Sequence, residues 1–227
     1  MKNLSDVSHN RIQNRFRSLE FNYHLLEFKN WHEKTYLTYE TDPESSNISS
    51  IETVDNDDFL KVIFQTDTAS AQKSMLVCSK AGDPQVNGWL PKRYPTEVKN
   101  SKLNWFFAPS TFMPAEDGSY HSKSNLAKEI YCIVLDDVGQ KVSFEKILPC
   151  PPTWVIQTSP GSCQVGYAFE EGQKDFQCVE QLKNALISAG MCDPGATGAS
   201  ARWSRLPVGI NGKPKYGVPE PHCKLLW

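Results

Sequence analysis

The chain lacks the marks of a membrane or secreted protein. Its 227 residues contain no long apolar run and no signal-peptide pattern, which predicts a soluble, cytoplasmic protein with no membrane partner. It has no Cys-x-x-Cys pair. Its seven cysteines, an odd number, stand apart at 78, 132, 150, 163, 178, 192 and 223. That pattern argues against a zinc ribbon or a disulfide framework, because several fall in apolar runs where a free thiol acts as a small core residue. His222-Cys223 is the one adjacent His/Cys pair, and it has no further ligands at metal-site spacing. There is no basic excess either. The formal charge is −2, so net charge does not identify a nucleic-acid binder, although a local basic patch stays compatible with it. Apolar residues make up 39%, slightly low for a compact globule, so part of the chain is expected outside the core. No internal repeat or low-complexity tract interrupts it.

What is present divides in two. Residues 1–57 are polar and punctuated, with aromatics at Phe16, Phe21, Tyr23, Phe28 and Trp31 that predict one or two helices over 11–37. Thr41 to Asp58 is rich in Ser, Asn, Asp and Glu and reads as a linker. From 58 to 227 the texture is that of a folded domain. Phe59–Phe64 predicts a short helix, and Ser74–Cys78, Asn104–Ala108, Ile130–Leu135 and Trp154–Thr158 predict strands. Ser110 to Asn125 is polar and predicts a long exposed loop. Ser159-Pro160-Gly161 supplies a tight turn before a returning strand at Cys163–Glu170. Val179, Leu182, Ala185, Leu186 and Ile187 repeat at helical spacing, with Gly190 as a C-terminal stop. Arg205 to Lys213 reads as a loop-rich basic segment. Mixed helices and strands with hairpins give an α+β class.

Three separated segments carry chemistry. The strand Ile130–Leu135 runs straight into Asp136 and Asp137. Two carboxylates so close repel each other, and a bound Mg²⁺ or Mn²⁺ relieves that repulsion. The hairpin from Thr158 to Gln164 offers hydroxyls, turn amides and one side-chain amide. The third segment supplies Arg202, Trp203, Arg205, Asn211 and Lys213. Acids for metal and cations for phosphate are what nucleotide chemistry requires. Each piece alone also fits a plain strand, a plain turn or a solvated surface.

Taken in order, Ile-Val-Leu-Asp-Asp-Val-Gly-Gln-Lys, Pro-Pro-Thr-Trp-Val-Ile-Gln-Thr-Ser-Pro-Gly-Ser-Cys-Gln-Val-Gly-Tyr and Arg-Trp-Ser-Arg-Leu-Pro-Val-Gly-Ile-Asn-Gly-Lys-Pro resemble the RepB-like primase domains of plasmid and phage replication proteins, in the archaeo-eukaryotic primase (prim-pol) superfamily. The resemblance spans about residues 59–227. It implies an RRM-like catalytic core of mixed or antiparallel sheet with flanking helices. It also implies template-directed, two-metal nucleotidyl transfer from (d)NTPs, with single-stranded DNA as template, Mg²⁺ or Mn²⁺ as cofactor and a helicase domain or protein as partner. By position, Asp136 and Asp137 take the metal-binding motif. Ser159, Gly161 and Gln164 take the phosphate-contacting hairpin, and Arg202, Arg205, Asn211 and Lys213 the basic motif.

This chain departs from that pattern in three places. The two acids are adjacent rather than alternate, so both reach one metal only if the strand bends at Asp136, a bend that Gly139 would permit. Gln164 stands where the family has a histidine; it donates a hydrogen bond but cannot become a cation. No carboxylate lies between Thr197 and Arg202, and Asp193 is the nearest candidate for the third acid. Trp105, Phe107 and Trp203 are candidates for stacking bases, with core packing the alternative reading. A catalytically inactive module that binds nucleic acid or nucleotide, and an unrelated nucleotidyl-transfer or hydrolytic enzyme, are the competing functions.

Overall fold

The computed structural model describes residues 24–37, 54–65, 74–86 and 88–227. Phe16, Phe21, Tyr23 and most of the predicted linker lie outside them. The chain divides into two compact units, residues 1–48 with 145–151, and residues 49–144 with 152–227. In the first, residues 24–31 are helical and continue into a π-helical turn, His32–Tyr36. Phe28 and Trp31 stack there at 5.4 Å.

The second unit is built on antiparallel strands. They are β1 (Met75–Lys80), β2 (Lys92–Arg93), β3 (Asn104–Phe112), β4 (Ala127–Val138), β5 (Trp154–Ser159), β6 (Ser162–Gln173), β7 (Ser204–Arg205), β8 (Gly209–Ile210) and β9 (His222–Leu225). Their order is β2-β1-β3-β4-β6-β5-β9-β8, with β7 added onto β3. Among the described residues two α-helices accompany them, α1 (Asn56–Phe64) and α2 (Phe176–Ser188). This is the α+β class that the sequence predicts.

Helix α1 starts inside the predicted linker. Asp55 caps it by accepting from the Asp58 amide at 2.8 Å, and Gln65 ends it in the left-handed conformation, φ 52°. Phe59, Leu60, Ile63 and Phe64 face one side and pack with Met75, Val77, Trp105, Phe107 and Trp154 in the main core. Period-two alternation then sorts the strands. Met75 and Val77 join this core, while Leu76, Ala108 and Phe112 form a second cluster. Trp105 and Phe107, candidates for base stacking, are core residues, 4% and 0% exposed. Trp154 lies where a Cβ on Gly166 would sit, at 1.9 Å, so only glycine allows β5 and β6 to pack at this point.

Other sequence expectations are corrected. Ser110 to Asn125 is not all exposed loop: β3 runs on to Phe112, and Ser110 is buried, donating to the Ser200 carbonyl at 2.7 Å. A run of small polar residues hid a strand covered on both faces. The basic segment Arg205 to Lys213 is loop-rich as expected, and the two-residue strands β7 and β8 anchor it. Helix α2 buries Val179 and Lys183, while Leu182 is 46% exposed. The Lys183 ammonium donates to the Val134 carbonyl at 2.7 Å, and burial pushes its pKa down. Lys183 therefore takes a buried place beside Val179, with Leu186 and Ile187 half-buried on the same side. Five of the seven cysteines, Cys78, Cys132, Cys163, Cys192 and Cys223, are buried.

Candidate functional site

The acids sit on a β-bulge. Leu135 pairs with Val165 and Val138 with Cys163, so Asp136 and Asp137 together oppose the one residue Gln164. The extra residue is absorbed at Asp137, whose φ is +59°. This lets two neighbouring side chains reach the same cleft instead of opposite faces of the sheet. The bend lies at Asp137 itself. Gly139 instead closes the loop that follows, donating to the Val142 carbonyl at 2.7 Å.

Both carboxylates are held. Asp136 Oδ1 accepts from Gln164 Nε2 at 3.2 Å and from the Asp137 amide at 3.1 Å. Asp137 Oδ1 accepts from Ser162 Oγ at 3.2 Å. The segment after α2 lies alongside: the Asp136 amide donates to Cys192 Sγ at 3.3 Å, and the Asp193 amide to the Asp136 carbonyl at 3.2 Å. Asp193 thus joins the acid pair through the backbone. Lys141 ties them further, with Nζ 2.8 Å from Asp137 Oδ2 and 2.9 Å from Asp193 Oδ2. These bonds hold the Asp193 carboxyl below its usual range and raise the Lys141 pKa.

The two arginines behave differently. Arg202, 36% exposed at its side chain, reaches Asp136 Oδ2 at 3.4 Å. Arg205 is buried. Its guanidinium donates to Asn104 Oδ1 at 3.2 Å, the Ile210 carbonyl at 2.9 Å and Asn211 Oδ1 at 2.7 Å. It also lies over the Phe106 ring at 4.8 Å. Burial lowers its pKa, although a guanidinium stays charged. Asn211 donates in turn to the Thr158 carbonyl at 2.8 Å. Gly212 passes so close to Gly82 that a Cβ would meet its carbonyl oxygen at 2.2 Å. Arg205 and Asn211 are therefore the frame of the basic segment, while Arg202 and Lys213 are its half-exposed cations. Gln164 couples frame and acids: its Oε1 accepts from the Arg205 amide at 2.8 Å while its Nε2 holds Asp136.

The hairpin contributes unequally. Ser159 is buried and bonds the Tyr216 hydroxyl at 2.8 Å, and Gly161 has φ +68° with open space around it. The acids, Asp193, Gln164, Arg202, Arg205, Asn211 and Lys213 all line one cleft of about 590 Å³. Ser159 and Gly161 do not line it; Thr158 and Ser162, from the same hairpin, do. Trp203, a stacking candidate from the sequence, lines the cleft in an aromatic wall; Lys141, Tyr216 and the wall's Trp89 and Phe106 were missed in the sequence. In that wall Trp89 stacks on Trp203 at 5.6 Å and meets Phe106 edge-on at 4.9 Å. Lys141 belongs to the first motif and stands four residues after Asp137, which was the available signal. Trp89 lies far from every motif and had none.

Hard carboxylate oxygens converging on a protein cation are the donor type that Mg²⁺ or Mn²⁺ prefers. No group of three or more His, Cys, Asp or Glu side chains stands close enough to hold a metal among the described residues. Asp136 and Asp137 fit a divalent cation as a pair. The Lys141 ammonium acts as a stand-in for that cation between Asp137 and Asp193.

The fold of this antiparallel sheet is shared with a solved primase-polymerase domain. The chain is similar to the AEP domain of the primase-polymerase (PrimPol) of cyanophage S-2L, with a TM-score of 0.52 at 9% sequence identity over 74% of this chain and 85% of that one. It is also similar to primase RepB′, at TM-score 0.45 and 16% identity over 66% of this chain and 50% of that one. For the catalytic domain of RepB′ in complex with initiator DNA the values are 0.44 and 16%, over 73% and 82%. The chain matches no protein-family model and no curated protein. The resemblance read from the motifs is thus borne out at the level of the fold.

Proposed function

We propose that this chain is a primase or polymerase domain that transfers nucleotides from (d)NTPs onto a strand paired with a single-stranded DNA template. The observation that carries this reading is the meeting of Asp136 and Asp137 with Arg202 and Lys213 in one cleft, on a fold shared with a primase-polymerase. Asp136 and Asp137 would hold the divalent cation, with Asp193 beside them. When bound, that cation supplies charge neutralisation to phosphate oxygens and acidifies the attacking hydroxyl. The chain's own residues do the rest. Gln164 and Ser162 fix the two carboxylates. Arg202 and Lys213 take the anionic oxygens of the triphosphate. Arg205 and Asn211 set the distance between these cations and the acids. A 3′-hydroxyl attacks the α-phosphorus in line, and pyrophosphate leaves. No histidine lines the cleft among the described residues, so charge and positioning carry the catalysis.

A labelled dNTP, a primed template and Mn²⁺ test the reading. Incorporation by the unaltered chain, lost about a hundredfold or more in Asp136→Ala plus Asp137→Ala, is the expected result. Nucleotide binding without incorporation points instead to a non-catalytic binding module, a reading favoured by the small acid set.

A further inference from the structure

The acid side of the cleft already holds cations, and they are the chain's own. Lys141 bridges Asp137 and Asp193 at 2.8 and 2.9 Å, and Arg202 sits 3.4 Å from Asp136. Each carboxylate assigned to the metal therefore has a partner of opposite charge, and both partners line the cleft that would receive the triphosphate. The backbone delivers Lys141 to this place. Its amide donates to the Asp137 carbonyl at 3.0 Å, so the loop after β4 folds back over the acid. Its side chain is nevertheless 58% exposed on a flexible stem, and it can leave the carboxylates without disturbing any core residue.

We infer that Lys141 and Arg202 exchange partners. They neutralise the carboxylates in the free chain, and they turn to the phosphate oxygens of a nucleoside triphosphate once a divalent cation takes the carboxylates. The inference rests on the function proposed above and adds a role for Lys141 that the motifs do not assign. Two consequences follow from charge alone. A divalent cation binding to the free chain competes with Lys141, so its affinity is held down. Triphosphate and divalent cation then help each other, because each releases the groups that the other needs, and such coupling is reciprocal.

Mn²⁺ binding is measured on the full chain by electron paramagnetic resonance, with and without the non-reactive α,β-imido analogue of dTTP, for the unaltered chain, Lys141→Met, Lys141→Arg and Asp136→Asn plus Asp137→Asn. Without the analogue, Lys141→Met is expected to bind Mn²⁺ about fivefold more tightly, the sum of two exposed ion pairs no longer broken. With the analogue present that advantage disappears, and the analogue itself binds several-fold more weakly. Lys141→Arg keeps the cation and behaves as the unaltered chain. Mn²⁺ affinity that is unchanged or lower in Lys141→Met overturns the inference while leaving the proposed function standing, provided that the double asparagine variant has lost the metal. If the double variant binds Mn²⁺ like the unaltered chain, or none of the four binds it, the carboxylate pair is not the metal site and both ideas fail. Binding by Lys141→Met alone supports the exchange in its strongest form.

Discussion

Arg202 and Arg205 are three residues apart, carry the same guanidinium and line the same cleft, yet they do different work. Arg202 is half-exposed and rests against one carboxylate. Arg205 is 5% exposed and is bonded to Asn104, Ile210 and Asn211. An exposed ion pair contributes little to stability because water competes for both charges. A buried guanidinium with its donors satisfied is a structural part, because removing it takes donors from several buried acceptors at once. The lesson is that a cation's role in such a cleft follows from its burial rather than from its motif.

The largest expected effect separates the two arginines. Arg205→Ala should cost on the order of 3–5 kcal/mol of folding stability, by taking the guanidinium donors away from the Asn211 and Ile210 oxygens and leaving Asn104 Oδ1 with the Gly212 amide alone. Arg202→Ala should cost less than about 1 kcal/mol and show its defect in triphosphate binding instead. Urea denaturation midpoints beside analogue titrations measure both. Equal stability losses would break the comparison.

Gln164 sharpens it, since this side chain touches both regions. Gln164→Ala should cost about 1–3 kcal/mol, because it orphans the buried Arg205 amide and frees Asp136. Gln164→Glu keeps an acceptor for that amide but sets a carboxylate against Asp136, so it should retain more stability while weakening the hold on Asp136. Denaturation of the two variants in parallel gives the ranking, and a less stable glutamate variant would contradict it.

The smallest effect lies near the other end of β4. Burial, helped by the bond to Glu129, pushes the Tyr131 phenol up to about 12. Unfolded tyrosine ionises near pH 10. The stabilisation from keeping this phenol neutral is therefore complete below about pH 10 and is lost as pH rises towards 12. Melting temperatures followed through that window should fall, and Tyr131→Phe should flatten part of the fall. An unchanged slope in Tyr131→Phe would show that the phenol does not govern this end of the strand.

Much of this was legible in the chain. Apolar runs located β1, β3, β4, β5 and β6, and the Pro-Gly turn located the hairpin between the last two, because local pattern and turn chemistry decide such elements. The acids were legible as a pair on a strand end. Their sharing of one cleft was legible only as a condition, a bend at Asp136, which register alone could supply. Helix α2 misled, since Leu182 fits the apolar period but Lys183 takes the buried place. Ser110 misled in the opposite sense, as a polar residue whose hydroxyl has a buried carbonyl to bond.

By itself, the amino-acid order determined the main strands β1 and β3 to β6 and the two helices, and which residue types are available for metal and phosphate. Those properties depend on neighbours a few positions away. Only the tertiary structure decided that Asp193 and Lys141 join Asp137, that Trp89 meets Trp203, and that Arg205 turns inward while Arg202 stays at the surface. Charge pairing and burial act between atoms close in space, and the folded sheet brings these residues together across up to 114 positions of chain, from Trp89 to Trp203.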